Sequence, residues 1–170
     1  MIDLRAAYDH IDRDMLFSVL NIRTKARKIT SLLKALYNGT KASIKNTVNS
    51  FHVHTGCRLG GIESSVLFNI YMDFVLRCVE HDVLLKYPNT GLKYSYKIKS
   101  ESSNREQRSI HKISGNYRLR MLLYADDIVL FCEDIDELND ILNIYDSTFS
   151  LFGLTIAIEN ADTRLCICYI

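Results

Sequence analysis

Two adjacent carboxylates, Asp126 and Asp127, interrupt an apolar stretch that runs from Met121 to Phe131. The residues on both sides favour β-strands and the polar break is two residues wide, so the segment predicts a tight hairpin with both carboxylates at its tip. Neighbouring negative charges repel one another, and a bound divalent cation removes that penalty. An isolated Asp-Asp pair is equally typical of an ordinary turn, so the interpretation depends on what accompanies it.

A two-metal phosphoryl-transfer site needs a further carboxylate from a neighbouring strand, because one turn cannot hold two cations about 4 Å apart. The start of the chain offers Asp3 among β-compatible residues, followed five residues later by Tyr8 and then Asp9. Taken alone, Tyr8 is typical of a half-buried aromatic that packs in the core. The spacing from Asp3 is what makes a functional interpretation worth testing.

The Tyr-Ala-Asp-Asp sequence at 124–127 resembles the palm signature of reverse transcriptases, and the Asp3, Tyr8, Asp9 pattern resembles their first palm motif. The resemblance implies that Asp3, Asp126 and Asp127 are catalytic and bind two Mg²⁺ ions, with Mn²⁺ as a possible substitute. It also implies a contribution from the Leu4 carbonyl. Tyr8 would lie under the sugar of an incoming deoxynucleoside triphosphate and exclude a 2′-hydroxyl.

Residues 55–69 form a glycine-containing turn that leads into an apolar-periodic segment, and they resemble the second palm motif. The matching positions are Gly56, Arg58, Gly60, Ser64, Leu67, Phe68 and Asn69. Gly60 lets the backbone approach a ligand closely, and Ser64 is predicted to cap the following helix, in which Val66 and Leu67 begin an apolar stripe. By the resemblance, Leu59 and Gly60 contact the nucleotide, while Arg58, Tyr124 and Ala125 contact nucleic acid.

Some positions depart from these motifs. Leu59 stands where a Gln is usual and cannot form a hydrogen bond, and Ile62 and Ser65 replace prolines. Residues 151–160 resemble the Gly-Leu-x-Ile-Asn segment of non-LTR retrotransposon enzymes, in which a following Lys can protonate the leaving pyrophosphate. This chain has Asn160 and no Lys after it, so the acid is missing or is supplied otherwise.

Composition fits a single domain. The 170 residues are 48% hydrophobic, enough to bury a core, and nothing resembles a linker. No apolar run approaches about 18 residues, so no membrane span is predicted, and Asp3 and Arg5 interrupt any secretory signal. Five cysteines without paired metal spacing suit a reducing compartment. We therefore expect an intracellular protein, cytoplasmic or nuclear; its oligomeric state is left open.

Charge is strongly segregated along the chain. Of the 21 Lys and Arg residues, 20 precede residue 121, whereas the 20 Asp and Glu residues divide evenly at that point. The basic residues between Lys86 and Arg120 alternate with tyrosines, a mixture suited to a nucleic-acid backbone and its bases. A solvated loop gives the same composition, and we predict such a loop for residues 97–116.

The predicted element order is strand, helix, helix, hairpin, helix, loop, hairpin, helix, strand. Asp12 should cap a helix that runs to about Ile22, residues 25–37 carry apolar residues at helical spacing, residues 41–48 and 51–56 should pair as strands, and residues 136–152 form another amphipathic helix. This order indicates an α+β fold, an antiparallel sheet with helices packed on one face. That arrangement is also the polymerase palm that the resemblance implies.

The resemblance extends from Asp3 to about Thr163 and is nearest to non-LTR, LINE-like retrotransposons. It implies a partial reverse transcriptase palm over residues 1–170, without fingers or thumb, that acts on an RNA or DNA template–primer with deoxynucleoside triphosphates. One alternative is a catalytically inactive, truncated retroelement remnant that at most binds nucleic acid. Another is a different palm-fold enzyme such as a nucleotide cyclase, which Tyr8 and the Tyr-Ala-Asp-Asp sequence disfavour.

Overall fold

The computed structural model describes residues 1–45, 49–58, 60–100 and 111–157, with the backbone course alone for 96–100 and 111–115. Five helices and six strands lie in these ranges: α1 Ala7–His10, α2 Arg13–Thr24, α3 Arg27–Tyr37, β1 Lys41–Ser43, β2 Ser50–His52, α4 Ser64–Lys86, β3 Leu92–Ser100, β4 His111–Leu119, β5 Met121–Tyr124, β6 Asp127–Leu130 and α5 Ile135–Leu151. Helices mixed with small antiparallel sheets match the predicted α+β class.

Three antiparallel hairpins take the place of the single sheet that the sequence predicts: β1 pairs with β2, β3 with β4, and β5 with β6. The last hairpin is extended by isolated bridges. Ile2 pairs with Ile128 through backbone hydrogen bonds of 2.7 and 2.9 Å, and Leu4 pairs with Ile156. Residues 2–4 therefore lie between β6 and the segment around Ile156.

Two helices begin at a side-chain cap, and one of these caps was predicted. The Asp12 carboxylate accepts a 2.8 Å hydrogen bond from the Met15 N–H, which confirms the predicted cap of α2. Asp134 caps α5 in the same way, with a 2.7 Å bond from the Glu137 N–H. At α4 the predicted cap is wrong: Glu63 occupies the cap position, and the Ser64 hydroxyl donates to the Arg58 carbonyl oxygen instead.

The core lies between α2, α4 and α5, and Ile2, Leu4 and Ile128 complete it from residues 2–4 and β6. Its fully buried large side chains include Phe68, Tyr71, Phe149, Ile128 and Leu154. The predicted apolar stripe of α4 is right in part: Leu67 is buried, whereas Val66 is 58% exposed, and the buried Phe68, Tyr71 and Val75 were not predicted. Helix periodicity identifies a stripe, but the neighbouring elements decide which residues of it are covered.

Helix α3 differs further from the usual amphipathic pattern. Its side toward α2 carries Tyr37, whose ring meets Phe17 edge-on with centroids 5.6 Å apart. Ile29, Leu32 and Leu36, which form its apolar stripe, are between 51% and 62% exposed. The sequence therefore predicts the helix correctly without indicating that this stripe lies on the surface.

The predicted solvated loop at 97–116 is wrong for the residues that the structure describes there. Residues 97–100 and 111–116 belong to β3 and β4, two nine-residue strands in continuous antiparallel register from Leu92 opposite Leu119 to Ser100 opposite His111. Polar composition misled the prediction, because a two-stranded hairpin can expose polar residues along its whole length. Of the described helices, none is long and apolar enough to cross a membrane.

Candidate active site

The carboxylates predicted to be catalytic lie on two adjoining strands. Because Ile2 faces Ile128 in antiparallel register, Asp3 falls opposite Asp127, the first residue of β6. Side chains alternate along a strand, and Ile2 and Ile128 are buried against the core whereas Asp3 and Asp127 are only partly buried. The two carboxylates therefore belong to the strand face opposite the helices.

Asp126 lies in the turn between β5 and β6, beside Ala125, so only one of the two carboxylates is at the hairpin tip. Ala125 has a φ of 54°, a left-handed conformation that costs an alanine roughly 1–2 kcal/mol. Tyr124 precedes the turn and is 84% exposed. Backbone strain of this kind collects at functional sites, and here it sets the direction in which Asp126 leaves β5.

Leu4 is buried by its side chain, while its backbone faces β6. The backbone groups of the two flanking residues point away from β6, toward residues 155–157. The Asp3 carbonyl accepts a hydrogen bond from the Ala157 N–H, and the Arg5 N–H donates to the Thr155 carbonyl, both at 2.9 Å. Strand alternation therefore directs the Leu4 carbonyl toward the side of Asp126 and Asp127. This is the orientation that a carbonyl contribution to the same site requires.

Tyr8 is half-buried in α1 and its ring stacks on Phe68, with centroids 4.1 Å apart and planes 7° from parallel. Burial raises the pKa of the Tyr8 hydroxyl, and the nearby Cys57 and Asp126 raise it further. Tyr8 and Asp126 are thus within electrostatic range of one another. The structure brings together the tyrosine and the carboxylate turn that the sequence could only associate by motif.

The glycine turn of residues 55–61 contacts α1 directly. The N–H groups of Gly56 and Cys57 donate to the carbonyls of Ile11 and Tyr8, both at 2.8 Å. Gly56 has a φ of 79°, and a Cβ there would lie 2.8 Å from backbone atoms of Tyr8 and Asp9. Only glycine permits this contact, which fixes the turn against the helix that carries Tyr8.

Gly60 has a similar φ of 80°, but nothing lies within 4 Å of where its Cβ would be. The turn is therefore open to a ligand at Gly60 and closed at Gly56. Arg58 is exposed beside it, and no partner for its guanidinium is present among the described residues. Leu59, predicted to contact the nucleotide, lies outside the described residues, as does Asn160.

Arg13 is a residue that motif reasoning missed. Its guanidinium donates to the carbonyls of Gly56, Val53 and Tyr37 at 2.9, 2.8 and 3.1 Å and to the Thr40 hydroxyl at 2.7 Å. Burial lowers the pKa of Arg13. An arginine one position after a helix cap is a poor signal in sequence, since nothing local reveals the carbonyls that it will contact.

The donor chemistry of the site suits a hard divalent cation, because carboxylate and carbonyl oxygens are the ligands that Mg²⁺ prefers. Asp3 and Asp127 share a strand face, and the Leu4 carbonyl points to the same side. Nevertheless, no group of three or more His, Cys, Asp or Glu side chains within the described ranges is arranged to hold a metal ion. The backbone thus places Asp3, Asp127 and the Leu4 carbonyl where a cation site could form, whereas the carboxylate side chains themselves do not converge on one point.

These features define a class of protein: an α+β domain with carboxylates on adjoining strands and a glycine turn that is packed against the helix carrying Tyr8. The chain matches the family described as reverse transcriptase (RNA-dependent DNA polymerase) over residues 1–160, and it belongs to that family. A comparison with curated proteins gives no match. Family membership supports a palm-like polymerase fold in coarse terms, with nucleic acid and deoxynucleoside triphosphates as the general substrates of such domains.

Proposed function

We propose that this chain carries the palm of an RNA-directed DNA polymerase, nearest to those of non-LTR, LINE-like retrotransposons, which extends a primer on an RNA or DNA template. The observation that carries the proposal is the register between Ile2 and Ile128. It sets Asp3 opposite Asp127, and it joins the first motif of the chain to the Tyr-Ala-Asp-Asp hairpin more than 120 residues later.

In the proposed reaction the primer 3′-oxygen attacks the α-phosphorus of the nucleotide, a new P–O bond forms, and pyrophosphate leaves. Asp3 and Asp126 would hold two divalent cations, with Asp127 assisting and the Leu4 carbonyl as a further ligand. When bound, such cations stabilise the charge on the attacking and leaving oxygens. The 3′-hydroxyl proton must be lost to solvent or to a nearby base, and the leaving group has no lysine acid at the position of Asn160.

The nucleotide is proposed to lie between Tyr8 and the open backbone at Gly60. The Tyr8 ring, held by its stack on Phe68, would block a ribose 2′-hydroxyl and so select deoxynucleotides. Leu59 would contact the nucleotide by packing alone. Arg58, exposed beside this turn, is proposed to contact nucleic-acid phosphate together with the backbone around Tyr124 and Ala125.

A second candidate is a catalytically inactive remnant that at most binds nucleic acid. The observation that favours it is the lack of a gathered carboxylate cluster among the described residues. Leu59 in place of Gln and the lack of a lysine after Asn160 point the same way. The two candidates share the binding surface and differ in turnover.

Primer extension on poly(rA)/oligo(dT) with Mg²⁺ or Mn²⁺ separates them. The chain is assayed as it stands and in a fusion that supplies a relative's flanking fingers and thumb, each beside its Asp126→Asn/Asp127→Asn variant. Extension that the double variant loses by at least a hundredfold supports the polymerase. If folded protein shows no extension in either form, the remnant is favoured, and Leu59→Gln with Asn160→Lys is the first reversion to test.

A further inference from the structure

The hairpin of β3 and β4 has its basic residues on one side only. The two strands contain five Lys or Arg residues and no Asp or Glu. The register pairs Lys93 with Arg118, Lys97 with Ser114 and Lys99 with Lys112. Residues directly opposite in an antiparallel pair share a face, and alternate residues along a strand do too, so all five basic positions fall on the same face.

The other face has a different composition. Its positions alternate with the basic ones and are occupied by Leu92, Tyr94, Tyr96, Ile98, Ser100, His111, Ile113, Gly115, Tyr117 and Leu119. The rings of Tyr94 and Tyr117 stack with centroids 5.8 Å apart, and each residue is nearly half exposed. The hairpin is therefore amphipathic, and a solvated loop with the same composition would have no such order.

Of the basic side chains on this face, the structure describes those of Lys93 and Arg118, and neither is strongly neutralised by the protein. Lys93 is exposed and has no ion-pair partner among the described residues. Arg118 reaches Glu133 at 3.2 Å, but the Glu133 side chain is 67% exposed, and an exposed pair of this kind contributes little. A row of like charges repels itself, so the face is stabilised when an anion with matching periodicity binds to it.

The root of the hairpin is fixed beside the carboxylate hairpin. Only Arg120 separates β4 from β5, and its guanidinium reaches Glu80 of α4 at 3.2 Å. Gly91 is buried, and a Cβ there would lie 2.7 Å from the Leu119 carbonyl. The basic face therefore begins at the base of the β5–β6 hairpin, the end opposite its turn, and is anchored to the same body.

We propose that the β3–β4 hairpin is an arm whose basic face holds the phosphate backbone of the template–primer duplex. The inference rests on the proposed function for the identity of the duplex. From Lys93 to Lys99 the strand spans about 20 Å, and one strand of a duplex presents a phosphate about every 3.4 Å along its axis. The arm is thus long enough for several phosphates, and its direct connection to the base of the hairpin that carries the carboxylates favours a nucleic acid over an anionic membrane.

The test is binding of a poly(rA)/oligo(dT) duplex to the full chain, followed by fluorescence anisotropy across a salt series. The variant is Lys93→Gln/Lys97→Gln/Lys99→Gln/Lys112→Gln. The matched control removes the same charge from exposed positions elsewhere: Arg27→Gln/Lys28→Gln/Lys41→Gln/Lys45→Gln. We expect the arm variant to bind at least tenfold more weakly and to lose about 3.6 units of salt slope, since each of the four lost phosphate contacts removes about 0.9.

Equal losses in the two variants would show that affinity follows net charge and would overturn the proposal, as would no loss in the arm variant. Loss of binding to phosphatidylserine vesicles with unchanged duplex binding would identify a membrane surface instead. Circular dichroism checks that each variant is folded. If the arm variant fails to fold, lysine acylation of the wild-type chain replaces it, and protection of Lys97 and Lys99 by the duplex is then the expected result and its absence the contrary one.

Binding is read without turnover, so the two proposals fail separately. Wild-type chain that binds through the arm but extends no primer in any form would leave the arm inference intact and contradict the polymerase. If the wild-type chain extends a primer and the arm variant binds the duplex as tightly as the wild type, the polymerase proposal stands and the arm inference is contradicted.

Discussion

Gly56 and Gly60 share a left-handed backbone conformation and differ in their surroundings. Gly56 is pressed against the backbone of Tyr8 and Asp9, whereas Gly60 faces open space. The first glycine is required by the fold, and the second leaves room for a ligand. Sequence alone marks both as turn glycines and gives no means of assigning the two roles.

Alanine at each position separates these roles. We expect Gly60→Ala to lower the free energy of unfolding by about 1 kcal/mol, the cost of the left-handed backbone. Gly56→Ala adds a clash with backbone that cannot easily move, so its loss should be several-fold larger. Urea unfolding measures both, and equal losses would contradict the closed contact at Gly56. Loss of nucleotide binding in Gly60→Ala with little loss of stability would support the role proposed for Gly60.

At the scale of single residues, the sequence predicted which carboxylates to consider and could not predict their arrangement. The sequence alone identifies the Asp126–Asp127 pair and Asp3 as candidate carboxylates. Their register depends on a pairing between residues 2 and 128, which no local propensity encodes. The split of the pair, with Asp126 in the turn and Asp127 in β6, follows from the left-handed Ala125 and could not be foreseen.

At the scale of elements, helix α2 is joined to the β1–β2 hairpin and the glycine turn mainly through Arg13. The arginine reaches carbonyls on both sides of that hairpin and in the turn, so its planar, five-donor group serves several segments at once. A lysine has a single charged nitrogen and cannot span these acceptors. The position of the turn beside Tyr8 therefore depends on this side chain together with the backbone hydrogen bonds of Gly56 and Cys57.

Arg13→Lys should lower the free energy of unfolding by about 2–3 kcal/mol, because several carbonyls in a partly buried site lose their donors. Arg27→Lys, on the exposed side of α3, is the matched control and should change it by less than about 0.5 kcal/mol. Chemical denaturation followed by circular dichroism gives both values. A change for Arg13→Lys no larger than that of the control would show that the network contributes nothing measurable.

Elements were predicted with uneven success for physical reasons. Asp12 fixed the start of α2 because a cap is a local interaction. The exposure of the α3 stripe depends on which elements pack against that helix. The pairing of β3 with β4 depends on the partner strand, and their polar composition led to the incorrect prediction of a loop. When an element packs against residues that are distant in sequence, its composition indicates whether its surface is polar or apolar but does not indicate where it lies in the fold.

At the scale of the whole molecule, two thiols, the buried Cys57 and the partly buried Cys132, make stability sensitive to alkaline pH. Burial raises the pKa of Cys57 and of Cys132 to about 11, from an ordinary value of 9.0. The unfolded chain thus releases these protons first, and it is favoured as pH rises. The contribution of the thiols is fully present below about pH 9 and is lost as pH rises through about 11.

We expect the free energy of unfolding, measured with urea at pH 7.5, 8.5, 9.5 and 10, to fall over the upper part of this range. The Cys57→Ala/Cys132→Ala variant should be less stable at neutral pH and should lose less between pH 9 and 10. Parallel profiles for the variant and the wild type would contradict the assignment to these two thiols.

The position of residues 2–4 between β6 and the segment around Ile156 also bears on how the chain is made. A strand at the very start of the described chain completes its pairing only with residues from near its end. Contacts of such long sequence separation form late, and synthesis delivers the N-terminus first. A ribosome-bound chain would thus display the Asp3 backbone without its partner at Ala157 until more than 150 residues had been added, so that Asp3 and the Tyr-Ala-Asp-Asp turn are both synthesised before residues 2–4 are paired on both sides.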